Sequence, residues 1–217
     1  MSIPRSPRDP FRIFLLTWSG QLVSLVGSAL TSFAVGIKIY QDSGSVTDLA
    51  LVSFLYAVPI LLLSPVAGAL VDRWDRRRAM LYSDIGAGAG ALAMLGMLAA
   101  DRAGLWSLRP LYLLGPIMVT AVFDAFRWPA YQATTALLVP KRHLGRANGL
   151  VELASGTGQV IAPALAAALL TRIGIELVIL IDVGTFAFAV LSLAMLRFPA
   201  PPASEAGRAA KIGRAHV

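Results

Sequence analysis

The chain has 217 residues, of which 57% are hydrophobic, and its mean hydropathy is +0.70. Soluble domains are about 45–50% apolar, so the composition excludes an ordinary soluble fold and indicates a polytopic membrane protein. The sequence has no cysteine, which excludes disulfides, zinc–thiolate sites and thiol catalysis. The net charge is +7, but the basic residues lie between apolar runs, as in cytoplasmic loops, so we expect no nucleic-acid partner.

Six apolar runs are long enough to cross a bilayer, which takes about 20 residues. They cover residues 11–39, 47–70, 79–100, 108–137, 144–170 and 175–197. The short connections leave no room for a soluble domain. The sequence therefore predicts an all-α fold with six transmembrane helices in one domain, 11–197. A cytoplasmic segment, 1–10, precedes this domain, and a cytoplasmic tail, 198–217, comes after it.

Lysine and arginine are distributed unevenly between the two sides of these spans. Fourteen fall on one side and four on the other, whereas Arg127 lies inside a span. The larger set comprises Arg5, Arg8, Arg12, Arg73, Arg76, Arg77, Arg78, Lys141, Arg142, Arg146, Arg197, Arg208, Lys211 and Arg214. Because cytoplasmic loops carry an excess of Lys and Arg, we expect that side, with both termini, to be cytoplasmic.

A charged turn separates the second and third spans. The segment G-A-L-V-D-R-W-D-R-R-R-A-M, Gly68–Met80, carries four arginines and two aspartates. Asp72 ends a helix whose C-terminal dipole disfavours a carboxylate, so we expect it to have a cationic partner among the neighbouring arginines. Gly68 allows a close helix contact. The segment is either an ordinary positive-inside loop or a gating element that locks one conformation. The gating residues would be Gly68, Asp72, Arg73, Arg76, Arg77 and Arg78.

The pattern G-x-x-x-D-R-x-x-R-R in this turn resembles the signature loop of the major facilitator superfamily, although Asp75 stands where that family usually has Gly. The variant D-R-W-D-R-R-R and the later segment P-K-R-H-L-G-R-A-N-G-L, Pro140–Leu150, are similar to the branch of exporters that includes the enterobactin exporters. The resemblance extends over residues 11–197. It implies a transporter of twelve helices in the bacterial inner membrane, working by alternating access, with this chain as the N-terminal 3+3 inverted-repeat half.

Polar side chains recur at helical spacing within the spans. In the first span they are Thr17, Gln21, Ser24, Ser28, Thr31 and Ser32, and in the fourth they are Thr120, Asp124, Arg127, Tyr131 and Thr135. One interpretation is interhelical hydrogen bonding, which Ser and Thr commonly supply. The other is a cavity that binds a small-molecule substrate. The candidate cavity residues are Gln21, Ser24, Ser28, Tyr131, Ser155 and Gln159.

Four ionisable residues within the predicted spans are candidates for proton coupling: Asp124, Arg127, Glu152 and Asp182. A charge at the bilayer centre costs at least about 2.5–3.5 kcal/mol, so such a residue usually faces a cavity or a partner. Asp124 and Arg127 are i,i+3 neighbours and can pair. They form either a static structural pair or a site whose carboxylate binds and releases a proton as the cavity switches sides. Asp124 with Arg127 is the first candidate for such a site, and Glu152 is the next.

Two glycine-containing segments lie within spans. The segment G-T-G-Q-V-I-A-P-A, Gly156–Ala164, resembles the Gly-Pro signature of superfamily antiporters, and we expect Pro163 to bend its helix. Ala162 stands where that family usually has Gly, which weakens the antiporter inference. Gly86 and Gly90 are spaced as G-x-x-x-G and predict a helix-packing face rather than a phosphate loop, because no G-K-[ST] comes after them.

The tail changes character abruptly after the Pro-rich piece 198–204. Its last seven residues, K-I-G-R-A-H-V at 211–217, are identical to the translation of a widely used sequencing adapter. We interpret them as an artefact that carries no biological sequence, so that the gene continues into a second half. The alternative is a natural basic tail.

Together with the resemblance, the sequence predicts a secondary transporter, truncated to its N-terminal half, that moves a small molecule such as a drug or siderophore by proton coupling; export rather than import is what the resemblance implies. Its expected partners are the lipid bilayer, the substrate, protons and the missing six-helix half. The competing hypothesis is a genuine six-span protein acting as a homodimeric channel or membrane scaffold. The sequence contains no catalytic triad, metal-ligand cluster or nucleotide motif, so we expect no enzymatic activity, cofactor or metal.

Overall fold

A computed structural model describes residues 10–105 and 107–196. The predicted segment 1–10, apart from Pro10, the end of the sixth predicted span at 197 and the tail 198–217 lie outside the described residues. Within the described ranges the protein is all-helical and has no β-strand. It has five α-helices: α1 (Pro10–Ser43), α2 (Val46–Arg73), α3 (Arg76–Arg102), α4 (Leu114–Leu138) and α5 (Leu144–Met195). Short 3-10 turns, Pro110–Leu113 and Lys141–His143, precede α4 and α5.

Helix α5 covers both the fifth and the sixth predicted spans. Its backbone is broken at Gly174, where φ is 80° and ψ is 168°, a conformation that glycine adopts without the steric cost of a Cβ. The helix therefore has two arms, 144–173 and 175–195. Pro163 lies within the first arm, where the backbone angles stay helical, and the bend expected there stays a prediction.

Four of the described helices are long and apolar enough to cross a membrane: α1, α2, α3 and α5. Helix α2 is the least buried of them, because only Pro59, Ala67 and Val71 are buried along its 28 residues. Such a helix is stable only where its surroundings are apolar, as in a bilayer or against another protein surface.

Capping interactions define the short connections. Gly44, with φ of 66°, turns the chain after α1, and the Ser45 hydroxyl accepts a hydrogen bond from the Asp48 amide at 3.2 Å. Asp75 caps α3 in the same way by accepting from the Arg78 amide at 2.9 Å. Asp and Ser are favoured N-caps because they satisfy amides that have no partner in the first helical turn. Asp75 thus has a structural role in the charged turn.

The helices pack as a bundle with two distinguishable ends. Helix α1 packs mainly on α5, and α4 packs on both α2 and α3. One end is filled by a buried apolar cluster of Ile13, Phe14, Leu138, Val139, Ala147 and Leu196. A second cluster toward the opposite end includes Ile39, Met94, Leu98, Leu113 and Ile175. The turn between α2 and α3 lies at the first end, because Arg77 contacts the carbonyls of Leu193 and Ala194.

The predicted packing face of α3 contacts α4 closely. A Cβ added at Gly86 would overlap the ring of Phe123, and one added at Gly90 would meet the Thr120 hydroxyl and lie 3.0 Å from the Pro116 carbonyl oxygen. Small residues at these positions therefore set the approach of the two helices, as expected for a G-x-x-x-G pair.

We expect Gly90→Ala to destabilise the protein by about 1–3 kcal/mol, because the methyl group overpacks a contact with helix backbone. Gly96→Ala on the same helix is the matched control, since a Cβ there meets no atom within 4 Å. Its expected effect is neutral or stabilising, because Ala is the better helix former. Thermal unfolding of both purified variants in detergent checks this, and equal midpoints would contradict it.

Candidate functional site

A buried ion pair lies in the middle of the bundle on α4. The Arg127 Nη2 atom is 2.7 Å from the Asp124 Oδ1 atom, as the i,i+3 spacing predicted. Both side chains are less than 10% exposed. The guanidinium carbon of Arg127 also lies 5.4 Å from the ring centroid of Phe186 on α5, within cation–π range. Arg127 therefore joins α4 to α5 as well as binding its own carboxylate.

A second carboxylate, Asp84 on α3, approaches Arg127 from the other side. Its Oδ1 atom is 3.9 Å from Arg127 Nη1, and its side chain is completely buried. The Gln21 amide donates to Asp84 Oδ2 at 2.7 Å, and Arg127 Nη1 donates to the Ser24 hydroxyl at 3.4 Å. Helices α1, α3 and α4 thus meet at one polar network inside the bundle.

Asp124 also has a partner on α2, because the Tyr56 hydroxyl donates to its Oδ2 atom at 2.6 Å. This hydrogen bond is one of the few polar contacts of α2, a helix with little buried surface. The charged Asp124 therefore receives two strong interactions, from Arg127 and from Tyr56. Hydrogen bonds to charged groups are stronger than neutral ones, so we infer that this contact fixes the position of α2.

A third buried carboxylate, Asp182, projects from the 175–195 arm of α5. Its Oδ1 atom accepts from the Ser28 hydroxyl at 3.3 Å and from the Thr185 hydroxyl at 3.4 Å. No Lys, Arg or His of the described residues lies within 4.0 Å of it. A Cβ at Gly27 would lie 2.9 Å from Asp182 Oδ1, so α1 passes directly over this carboxylate.

A cavity of about 530 Å³ extends from this region between α1, α2, α3 and α4. Asp124 and Asp182 lie on its wall, together with Tyr56 and Thr120. Its other lining residues are mostly apolar, and they include Ile37 and Tyr40 on α1 and Leu49 on α2. These positions are near the turn between α1 and α2. The cavity therefore leads from the buried charges toward the bundle end opposite Arg77.

The predicted cavity residues are distributed over three environments. Ser28 lines the cavity, and Gln21 and Ser24 are buried in the charge network behind it. Tyr131 is buried in an apolar cluster with Met80 and Val151, away from the cavity lining. Ser155 and Gln159 lie on the 144–173 arm of α5, outside this cavity. The Gln159 amide donates a hydrogen bond to the Ser155 hydroxyl at 3.5 Å.

Glu152 lies on the same arm and is exposed. It has no ion pair among the described residues. The structure therefore separates Glu152 from the other three proton-coupling candidates, which lie in or beside the cavity. The face of this arm that packs inward instead consists of small and apolar residues: Val151, Ala154, Gly158, Ala162 and Ala166.

The charged turn contacts the last helix through one arginine. Arg77 donates from Nε to the Leu193 carbonyl at 2.9 Å and from Nη2 to the Ala194 carbonyl at 2.6 Å. These carbonyls belong to the final turn of α5, where helical carbonyls lack i+4 amide partners; the Leu193 carbonyl also accepts the Leu196 amide at 3.2 Å. Arg77 thus caps α5 and ties the α2–α3 turn to it.

The other predictions for this turn have no counterpart within the described residues. Asp72 and Arg73 are exposed, and Asp72 makes no ion pair there, so the expected arginine partner is absent from the described chain. Gly68 does not mediate a close helix contact, because a Cβ there would meet no atom within 4 Å. The partner of Asp72 was expected among its sequence neighbours, but one of them, Arg77, contacts α5 instead.

Two residues of the network were not identified from the sequence. Asp84 lies five residues after the predicted start of the third span, close to the cationic turn, where a charge is unremarkable. Tyr56 has no special sequence context. A signal for Asp84 existed, since it precedes the Gly86–Gly90 packing face and is therefore expected at a helix contact.

Comparisons with known proteins decide the family. The sequence profile of the Major Facilitator Superfamily matches residues 17–216. The chain belongs to the Major Facilitator Superfamily. The family resemblance read from the α2–α3 turn is thereby confirmed.

Several relatives of this superfamily member are efflux proteins. Macrolide efflux protein A of Streptococcus pyogenes is 30% identical over 186 residues, which cover 86% of this chain and 45% of the relative. The multidrug efflux pump Tap of Mycolicibacterium fortuitum is 24% identical over 84% of this chain and 45% of the relative. Enterobactin exporter EntS of Salmonella choleraesuis strain SC-B67 is 27% identical over 190 residues, which cover 87% of this chain and 45% of the relative. The chain thus spans about half the length of these relatives.

Replacing Arg127 with Met would leave Asp84 and Asp124 buried with no cation beside them. Removing one partner of a buried ion pair costs about 3–5 kcal/mol, so we expect Arg127→Met to lower the stability by that amount. Adding Asp124→Asn should restore part of the loss, because one of the uncompensated charges is then removed. Thermal unfolding in detergent measures both effects. Arg73→Met is the control, since Arg73 is exposed, and equal stability of the two single variants would contradict the expectation.

Proposed function

We propose that this chain is the N-terminal half of a secondary active transporter that exports a small molecule by alternating access, with proton coupling. The observation that carries the proposal is the cavity that ends on buried carboxylates around Arg127, in a chain of the Major Facilitator Superfamily. A cavity with a few convergent polar groups in an apolar wall is the usual form of a small-molecule site.

The proposed half has six spans, with α4 as the fourth and the two arms of α5 as the fifth and sixth. A non-helical backbone at Gly174 and a buried cluster shared by Ala162 and Val178, one from each arm, support two separate spans. Helix α4 carries Asp124 and Arg127, which lower its hydropathy, but it is enclosed by α2 and α3 and can cross the membrane between them. Six spans correspond to the 3+3 inverted repeats of a superfamily half.

The exposed polar face of the 144–173 arm supports a second half as partner. Glu152 and Gln159 are exposed there, and unpaired polar groups facing lipid are costly. A second six-helix half would cover them, and the relatives are about twice as long as this chain. Alternating access requires one half to move against another around a central site. On this proposal the 217-residue chain alone binds to its partner half but does not transport.

Proton coupling would arise from the competition of two carboxylates for one cation. Arg127 contacts Asp124 closely and Asp84 at longer range, so two formal negative charges share one positive charge. A proton bound by Asp124 would weaken its pair with Arg127 and favour the pair with Asp84. The same change would weaken the hydrogen bond from Tyr56 to Asp124 and allow α2 to move. Proton binding is thereby linked to helix movement at the cavity wall.

The orientation is proposed from the charges and the closed end of the bundle. The Lys and Arg excess assigns the end with the α2–α3 turn to the cytoplasm, with both termini. That end is filled by apolar side chains, and Arg77 ties its turn to α5. The cavity leads to the opposite end, and on the proposed orientation it would therefore open to the outside. We propose export across a bacterial plasma membrane, an inference supported by the relatives that are named as efflux proteins.

A genuine six-span homodimeric channel or scaffold is the alternative. The two proposals predict different DNA sequences downstream of codon 210 at the source locus. A reading frame that continues into six further apolar spans supports the transporter half and the artefactual origin of 211–217. A natural stop after Val217, together with a stable homodimer, would overturn the half-transporter proposal.

We expect Asp124→Asn in the full gene product to reduce proton-driven macrolide efflux from proteoliposomes by at least about fivefold, the low end of typical coupling free energies. Macrolide exchange without a proton gradient should continue, because exchange needs no net proton transfer. Asp84→Asn should likewise uncouple efflux from the gradient. Asp42→Asn, at an exposed pair with Lys38, is the control. Equal loss of exchange and gradient-driven efflux in Asp124→Asn would refute a coupling role.

We propose that Asp72 forms a cytoplasmic gate with the second half, because it has no ion-pair partner among the described residues. Asp72→Asn in the full gene product should therefore slow transport by about tenfold, as expected for the loss of roughly 1.4 kcal/mol from one conformational state. Its thermal stability should be unchanged. Asp75→Asn makes the same charge change in the same turn but keeps the N-cap, since Asn is also a good cap. Normal transport by Asp72→Asn would disprove the gate.

A further inference from the structure

The wall of the cavity contains negative charge without positive charge. Its lining residues include two carboxylates, Asp124 and Asp182, and no Lys, Arg or His among the described residues. Arg127 is not among the lining residues, because its guanidinium lies behind the wall, where Asp124, Ser24 and Phe186 contact it. The charged groups nearest the cavity therefore present a net negative field to anything bound in it.

The two carboxylates differ in how well they are satisfied. Asp124 is bound by a cation at 2.7 Å and by the Tyr56 hydroxyl at 2.6 Å. Asp182 receives hydrogen bonds from the neutral hydroxyls of Ser28 and Thr185, at 3.3 and 3.4 Å. It is 2% exposed and has no cation within 4.0 Å among the described residues. Arg127 acts on it only at longer range, without a direct ion pair. A buried carboxylate without a direct ion pair is costly, so Asp182 is the group that a ligand cation would stabilise most.

The other lining residues of the cavity fit a ligand whose positive charge is surrounded by apolar groups. Three aromatic residues, Phe33, Tyr40 and Tyr56, lie on the wall with Val35, Met94 and Ile117. Aromatic faces attract cations, and they do so more strongly when the cation is desolvated. The volume of about 530 Å³ is within the range of about 300–1,000 Å³ that holds drug-sized molecules.

We propose that the cavity selects a lipophilic monovalent cation and that Asp182 is its counter-ion. This inference rests on the proposed function and narrows its substrate class. Asp124 retains Arg127 when the ligand binds, so coupling and substrate binding are carried by different carboxylates. An anion of the same size and shape would meet Asp182 and Asp124 with no cationic side chain on the described wall to bind it.

Two ions of nearly the same shape and opposite charge test the proposal. Tetraphenylphosphonium and tetraphenylborate both place four phenyl groups around one central charge. Binding of each, measured separately by equilibrium dialysis, uses the purified 217-residue chain in lipid nanodiscs. Empty nanodiscs of the same composition correct for partition into lipid. We expect saturable binding of the phosphonium ion and no saturable binding of the borate ion.

Variants at Asp182 identify the anchor. Asp182→Asn should weaken phosphonium binding by about tenfold or more, equivalent to about 1.4 kcal/mol. Asp182→Glu keeps the charge and should retain most of the binding. Asp42→Asn removes an exposed charge elsewhere and should have no effect. Thermal unfolding of each variant verifies its fold, and the comparison of the two ions in the unmutated chain does not depend on any variant.

Three results would overturn the proposal: no saturable phosphonium binding, saturable borate binding as tight as that of the phosphonium ion, or unchanged phosphonium binding by a folded Asp182→Asn variant. The result is separable from the proposed function. Proton-coupled efflux by the full gene product, with no phosphonium binding by the chain, would refute the cation site and leave the transporter intact. Phosphonium binding by the chain, with no transport by the full gene product, would support the site and refute the transporter.

Discussion

The pairing of Arg127 with two carboxylates is the constraint around which the bundle is built. A guanidinium in the middle of a membrane domain needs compensating charge, and Asp124 supplies it from the same helix while Asp84 supplies it from α3. Gln21 and Ser24 add hydrogen bonds from α1, and Phe186 lies against the guanidinium from α5. One buried cation thus brings four helices to a common point, and α2 joins them through Tyr56 and Asp124.

On α3, the glycines that pack closely against α4 come shortly after Asp84, the residue that makes the polar contact with Arg127. Gly86 and Gly90 bring α4 near enough for Asp84 to approach Arg127, since larger residues there would separate the two helices. Gly27 plays the corresponding part on α1, where it passes over Asp182 and Thr185. Small residues therefore do more than fill space in this domain, because they set the distances over which the buried charges interact. Close approach also limits the water that could screen them.

The two ends of the bundle are specialised differently. The end that carries the cationic turn is closed by an apolar cluster and by Arg77, which caps α5. The cavity lies toward the other end of the bundle, near the α1–α2 connection. The charge network lies between them and contacts both α2, which is scarcely buried, and the well-packed α1 and α3. A change of proton or ligand occupancy in the network would act first on α2, the helix with the fewest competing contacts.

The sequence by itself determined the fold class, the family resemblance and the Asp124–Arg127 pair, because hydropathy, a loop motif and i,i+3 spacing are local properties. It also indicated the Gly86–Gly90 contact. It did not reveal Asp84, Tyr56 or the separation of Glu152 from the site, since these depend on how helices rotate against each other. Nor did it predict the backbone break at Gly174. Only the tertiary structure decided that Asp84 shares this cation and that Asp182 faces a cavity with no direct ion pair among the described residues.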